Sequence, residues 1–328
     1  MNTLPERIFM LRNNEDFTEC ALEIFKIQSS FNKVYSEFLK GLRLDPESVK
    51  TTSQIPFLPV ELFKTRIVIT GDQIPSKIFE SSGTTGNATS RHYVTDISLY
   101  EKSFLSSFRL FYGEPAEYMI AALLPSYIER ENSSLVFMME NLIRRSSGNG
   151  SGFFRENISG MMRSIDGARQ KGLKILLIGV SFALLDLAEK HSPDLHDVIV
   201  METGGMKGRR KEITRAELHG ILKKAFNVSS VHSEYGMTEL LSQAYSRGEG
   251  IFHCPPWMKI LVRDPQDPLT VSDRPGITGG INIIDLANIH SCSFIATGDL
   301  GKLHSDSSFE VLGRIDSSDI RGCNLLLG

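Results

Sequence analysis

Six consecutive small residues, Ser81, Ser82, Gly83, Thr84, Thr85 and Gly86, form the first stretch of this chain with the makings of a chemical site. Small residues let successive backbone N–H groups turn toward one point, and the adjacent hydroxyls add donors, so the stretch can cradle an anion. It is not a Walker A loop, because no lysine follows Gly86. Read alone, such a loop is more often a plain connector.

Other stretches carry chemistry of their own. METGGMKGRRKE (201–212) places Gly204 and Gly205 just after a predicted strand, at the edge where α/β proteins bind ligands. Thr203 keeps it from being a dinucleotide fingerprint. Lys207, Arg209, Arg210 and Lys211 then form a basic turn, whose bland reading is a solvated surface. Positive charge ahead of a helix N-terminus is unfavourable, however, unless an anion or acidic partner lies near. Ser181, in GVSFA, stands on a strand-to-helix turn like a nucleophile elbow, but Ala183 replaces the usual glycine. The preferred expectation is that Ser181 is the N-cap of the following helix. The four cysteines, Cys20, Cys254, Cys292 and Cys323, are far apart, without a CxxC pair, which suggests neither a disulfide framework nor a zinc site. Cys292 is expected within a strand.

The elements that must hold these residues follow from periodicity. Apolar residues recur at helical spacing from Asp16 to Leu42 (Phe17, Ala21, Leu22, Phe25, Phe31, Val34, Phe38), predicting amphipathic helix. TRIVIT (65–70) and SKIFES (76–81) read as short strands. Strands at 117–125, 173–180 and 197–202 alternate with helices at 132–145, 181–190 and one opened by the capping-box pair Thr214 and Glu217. SSGNGSGFF (146–154) reads as a mobile loop. Near-continuous apolar strands followed by helices describe a parallel sheet covered on both faces. After Gly250 the texture shifts to short strands with Pro and Gly turns, a small β subdomain. The expected divisions are a helical region at 1–75, an α/β core at 76–250, the β subdomain at 251–312 and a tail at 313–328.

With 328 residues, 41% apolar and 23% charged, the chain can bury a sizeable core. A net charge of -3, from 36 Lys and Arg against 39 Asp and Glu, gives no global pull toward nucleic acid or anionic membrane. No apolar run approaches bilayer length and the N-terminus lacks a signal peptide's apolar core, so a cytoplasmic protein without membrane insertion is expected.

SEYGMTE (233–239), ATGDLG (296–301) and GRID (313–316) each close or follow a predicted strand. With the Ser81–Gly86 loop, LPSY (124–127) and the Gly204–Gly205 turn, they make an ordered set that resembles the adenylate-forming superfamily of acyl-CoA synthetases and luciferases. The resemblance implies the α/β fold of that family's large N-terminal domain, with ATP and Mg²⁺ as cofactors. Ser81, Ser82, Gly83, Thr84, Thr85 and Gly86 would hold the phosphates, Thr238 would contact the α-phosphate and Glu239 would bind Mg²⁺. Asp299 would accept the ribose hydroxyls. Gly204, Gly205, Met206, Tyr235 and Gly236 would frame the adenine, with Gly205 and Tyr235 also bordering the acyl group, and Arg314 would close on the nucleotide. Tyr127 would line the acyl pocket. The same register puts GVS where relatives have Gly-Val-Pro at a helix start, which favours the capping role of Ser181.

Two departures stand out. Asn87-Ala88 replaces the family's Pro-Lys, and 328 minus 314 leaves 14 residues after Arg314, too few for the family's lid. The chain is therefore expected to have no full C-terminal lid domain. In these respects it resembles the LuxE-type acyl-protein synthetases of fatty-acid reductase systems. That branch implies activation of a fatty or other carboxylic acid to acyl-AMP, transfer to a cysteine of the protein, and delivery to an acyl reductase or carrier partner. Cys323 is the expected acceptor: Gly322 frees the backbone beside it and Arg321 favours its thiolate. The alternatives are a truncated acyl- or aryl-CoA ligase, a non-catalytic nucleotide- or acyl-binding subunit and, most distantly, a serine hydrolase through Ser181.

Overall fold

The computed structural model describes residues 3–81, 89–125, 131–147, 150–204 and 213–315. A single turn, α1 (Leu4–Arg7), precedes α2 (Asn14–Phe31) and α3 (Lys33–Gly41). The Asn13 side chain caps α2 by accepting from the N–H groups of Glu15 and Asp16, whose carboxylates also suit the positive helix end. The predicted helical stretch is broken at Asn32, which caps α3 by accepting from the Tyr35 N–H. Phe31 consequently falls off the apolar stripe and is 66% exposed, against the expectation that it would face the core.

Next come β1 (Leu58–Pro59) and the one-turn helix α4 (Leu62–Thr65), which occupies the start of the predicted strand at 65–70. That stretch forms no strand: Thr70 makes one isolated bridge to Asn32, and Val68 is buried while Ile67 is exposed. Its β-branched residues anchor a connection, and no ladder forms beside them. The hairpin β2 (Lys77–Glu80) and β3 (Arg91–Val94) then flanks the Ser/Thr/Gly loop, followed by helix α5 (Ile97–Tyr112).

The middle of the chain runs β4 (Tyr118–Leu123), α6 (Ser134–Arg145), β5 (Gly152–Phe153), α7 (Ile158–Gln170), β6 (Lys174–Val180), α8 (Ser181–Lys190), β7 (Ile199–Thr203), α9 (Arg215–Phe226), β8 (His232–Tyr235) and β9 (Ala244–Ser246), the predicted alternation with α7, β5 and β9 added to it. These strands form one sheet in the order β5-β4-β6-β7-β8-β9, parallel except at the β9 edge. Gly152 and Phe153 are thus an edge strand where a loop was expected. Strand alternation divides the core cleanly. Tyr118, Ile120 and Ala122 join one apolar cluster with α5 and α6. Met119, Ala121 and Leu123 join another with α7, α8 and α9. The capping box of Thr214 and Glu217 opens α9 as expected.

Ser181 is not the cap of α8. It is the helix's first residue, with Val180 at the cap position and no side-chain cap bond. Its hydroxyl turns sideways and donates to the Gly204 carbonyl at 2.6 Å, so it serves the neighbouring strand rather than its own helix.

The last third supplies β10 (Ile251–Phe252), β11 (Met258–Arg263), β12 (Val271–Ser272), β13 (Thr278–Asp285), β14 (Phe294–Leu303) and β15 (Phe309–Arg314). They order as β10-β15-β14-β13-β11-β12, antiparallel throughout, and β1 adds to β14 in parallel with Leu58 opposite Ile295. Cys292, expected in a strand, lies just before β14 and is buried. Buried amides lock the N-terminal helices to this region. Gln28 donates to the Ile289 carbonyl at 3.0 Å and accepts from the Ser293 N–H at 2.9 Å, while Asn32 donates to the Ser291 carbonyl at 2.8 Å. Among the described residues no helix is long and apolar enough to cross a membrane.

Candidate active site

The C-terminal ends of the parallel strands deliver their following residues to one edge: Pro125 after β4, Ser181 after β6, Gly204 after β7, and Gly236 after β8. Gly204 has φ +62°, a left-handed turn that suits glycine. At Gly236 a Cβ would come within 2.4 Å of Glu234 Oε1, so any larger residue there would require that side chain to move. Against this edge stands the β14–β15 pair, in which Asp299 lies opposite Arg314. The Tyr235 hydroxyl crosses between the sheets and donates to Asp299 Oδ2 at 2.8 Å. Arg314 Nε lies 3.7 Å from Asp299 Oδ1, with its side chain 87% exposed and that of Asp299 15% exposed. Three residues predicted from separate motifs are therefore together. The Tyr235 ring is walled in by Phe252 and Phe309, and burial, then the Asp299 charge, push its phenol well above the ordinary range.

A second group holds the YGMTE turn. His92, buried on β3 just past the serine- and glycine-rich loop, places Nδ1 2.9 Å from the Thr238 carbonyl and Nε2 3.0 Å from Asn288 Oδ1. Asn288 in turn donates to the Glu239 carbonyl at 2.7 Å. Asp285 accepts from the N–H groups of Leu241 and Ser242 at 2.8 and 3.0 Å. On the loop side, the Ser90 N–H donates to Ser81 Oγ at 2.9 Å and the Ser81 N–H to the Ser90 carbonyl at 3.0 Å. The residues that flank 82–88 are thus pinned to each other, beside the turn carrying Thr238 and Glu239.

The electrostatics of this turn are distinctive. Glu239 is 5% exposed, and burial pushes its carboxyl up, opposed by the Ser90 hydroxyl and more weakly by Lys64 and Arg314. Both ring nitrogens of His92 meet oxygen atoms, which only the charged ring can serve with an N–H at each. Burial nevertheless holds its pKa down to about 4. Mg²⁺ takes hard oxygen ligands and is commonly held by one or two carboxylates together with phosphate oxygens. Among the described residues no group of three or more His, Cys, Asp or Glu side chains is arranged to hold a metal ion. Among the described residues, a single buried carboxylate at this turn fits an ion whose other ligands come from a bound phosphate group better than a closed protein cage.

Ser82, Gly83, Thr84, Thr85, Gly86, Tyr127, Gly205, Met206, the basic turn at 207–211 and Cys323 lie outside the described residues. His92, Asp285 and Asn288 were not found from sequence. None of the three belongs to a motif with recognisable spacing, and only the fold brings 92, 239 and 288 together.

No family model and no curated protein matches the chain. Solved structures do. ATP-bound MatB from Rhodopseudomonas palustris matches at 19% identity and TM-score 0.52, over 72% of this chain and 47% of that one. O-succinylbenzoate Coenzyme A Synthetase (MenE) from Bacillus subtilis, in complex with ATP and magnesium ion, matches at 19% identity and TM-score 0.50, over 74% of this chain and 51% of that one. The luciferase-like enzyme from the nonluminescent mealworm Zophobas morio matches at 16% identity and TM-score 0.51, over 84% and 62%. The chain has the α/β fold of the large N-terminal domain of adenylate-forming enzymes, with a C-terminal β region. It spans about half the length of the first of these structures.

Proposed function

We propose that the chain is an ATP-dependent ligase that activates a carboxylic acid as its acyl-adenylate. The observation that carries this reading is the meeting of Tyr235, Asp299 and Arg314 at the sheet edge, on one side of a turn whose Thr238 and Glu239 abut the pinned flanks of the Ser81–Gly86 loop. In the reaction a carboxylate oxygen bonds to the α-phosphorus of ATP as the bond to the β-phosphate bridging oxygen breaks, releasing pyrophosphate. Like charges must approach, so catalysis lies in positioning and charge stabilisation. The loop supplies N–H and hydroxyl donors to the phosphates, Thr238 a hydroxyl to the α-phosphate and Asp299 acceptors for the ribose. Gly204, Gly205, Met206 and Gly236 border the adenine, and Tyr127 the acyl group. Mg²⁺, held by Glu239 and phosphate oxygens, would offset the developing charge.

The acceptor divides the reading. In the form suggested by the sequence, a thiolate at Cys323 attacks the acyl carbon, AMP leaves, and the thioester passes to a reductase or carrier. Coenzyme A as acceptor is the second form, favoured by the likeness to a coenzyme A synthetase. The test is pyrophosphate exchange dependent on a carboxylic acid, with fatty acids tried first, followed by tracking labelled acyl groups to protein or coenzyme A. Absence of exchange with any acid refutes the ligase. Hydroxylamine-sensitive labelling that survives Cys323→Ala refutes the thioester role.

A further inference from the structure

Glu202, near the end of β7 and two residues before Gly204, is 4% exposed and takes no part in the site just described. Arg215, at the start of α9, donates from Nε to Glu202 Oε1 at 3.0 Å; His219 Nε2 lies 3.7 Å from the same oxygen. Ser181 Oγ is 3.4 Å from the other oxygen. Burial pushes this carboxyl up, yet His219, Arg215 and Ser233 outweigh it and hold Glu202 below its ordinary range. A buried ion pair is a weak source of stability, since packed apolar groups of similar volume do as well or better. Its use lies in fixing geometry, and a second hydrogen bond shows which geometry. Arg215 Nη1 donates to the Val311 carbonyl at 3.1 Å, and the guanidinium lies 4.9 Å from the centre of the Phe252 ring. Val311 is three residues before Arg314 and pairs with Gly301, two residues after Asp299.

We propose that Arg215 is a positioning residue of the candidate site, clamping the β14–β15 pair that carries Asp299 and Arg314 to the end of β7 that carries Gly204. The clamp rests on the ligase reading only for the identity of its ligand. One planar fork spans two sheets, and a lysine could pair with Glu202 but not also reach Val311 with a second donor.

The test uses the full chain as wild type, Arg215→Lys, Arg215→Gln, and the double variant Glu202→Gln/Arg215→Gln. Arg215→Gln leaves a buried carboxylate unpaired and should lower the melting temperature. The double variant removes that charge and should recover most of the loss, and Arg215→Lys should stay close to wild type. Amide hydrogen exchange across 309–315 should nevertheless quicken in all three variants, a readout that needs no nucleotide. In acid-dependent pyrophosphate exchange, kcat/KM for ATP should fall on the order of 10²-fold in the double variant, as for a displaced binding group. If the double variant regains wild-type exchange protection and wild-type kcat/KM together with its stability, Arg215 is merely a counter-ion and the proposal is overturned. If wild type shows no pyrophosphate exchange, the ligase reading fails. Protection at 309–315 then decides the clamp alone, and unaltered protection in Arg215→Lys and the double variant overturns it.

Discussion

Glu202 and Glu239 are almost equally hidden, at 4% and 5% exposure, and end the same way in neither charge nor company. Glu202 sits inside a ring of donors and a cation that keep it ionised below the usual range. Glu239 has one hydroxyl and two weaker cationic influences, so burial wins and its carboxyl is pushed up. Burial thus sets the cost of a charge, and the partners decide whether the protein has met it. Glu202 has its charge met within the fold, whereas the partners of Glu239 do not offset its burial; the proposed Mg²⁺ would supply the missing positive charge. The two should also respond oppositely to pH. Glu202, with a lowered pKa, contributes stability above about pH 4.5 that is lost as pH falls through its folded value. Glu239, with a raised pKa, contributes stability below about pH 4.5 that is lost as pH rises through its folded value.

The strongest way to break this contrast is Glu239→Gln. It should cut kcat for acyl-adenylate formation on the order of 10³-fold while leaving the protein at least as stable at neutral pH. Pyrophosphate exchange and thermal melts check both halves, and a stable variant with wild-type exchange would end the metal-ligand role. Glu202→Gln should do the reverse in kind, costing about 2 kcal/mol of stability by weakening the charge-assisted bond from Arg215. Denaturant titration measures it, and an unchanged midpoint would show that the ring around Glu202 is idle.

On the Glu239 side, the acid response should come through His92. Its lowered pKa means that its share of stability is present above about pH 6.5 and lost as pH falls toward about 4. The span of about 2.5 units sets an upper bound of about 3 kcal/mol. A His92→Gln protein should lose less stability than wild type between those pH values, while parallel curves would remove His92 as the cause. Ser181→Ala should have the smallest effect, about 1 kcal/mol for the hydrogen bond to the Gly204 carbonyl, with exchange activity little changed. Loss of all acyl transfer from a well-folded Ser181→Ala protein would instead revive a nucleophilic serine.

The sequence was most legible where one pattern repeats along a strand or helix. The runs in β4 and β6 are apolar on both faces because both faces are covered, and Thr214 with Glu217 marks a helix start through purely local bonds. It was less legible where a residue's role depends on a distant partner. TRIVIT has the residue types of a strand but no neighbouring ladder, and Ser181 has a capping residue's identity but a more favourable acceptor in Gly204. Phe31 fits the helical stripe until Asn32 ends the helix. Among the candidate site residues, Tyr235, Asp299 and Arg314 could be named from their motifs, whereas Arg215 and His92 could not. The former belong to compact segments, while the latter act through carbonyls on strands and turns more than 90 residues away.

The division of the core into two clusters bears on how the chain is made. The cluster under α7, α8 and α9 draws its buried residues from Met119 to Val231, so this face can close once that stretch has been synthesised. The opposite cluster joins Ile8 and Phe17 to Phe294 and Phe309, nearly the whole length of the chain apart. Its long-range contacts must wait for the last strands. Until β14 emerges, the apolar stripe of α2 lacks its final cover, and transiently exposed apolar surface of this kind favours aggregation. The packing of α2 and α3 is therefore completed only by strands some 260 residues further along the chain.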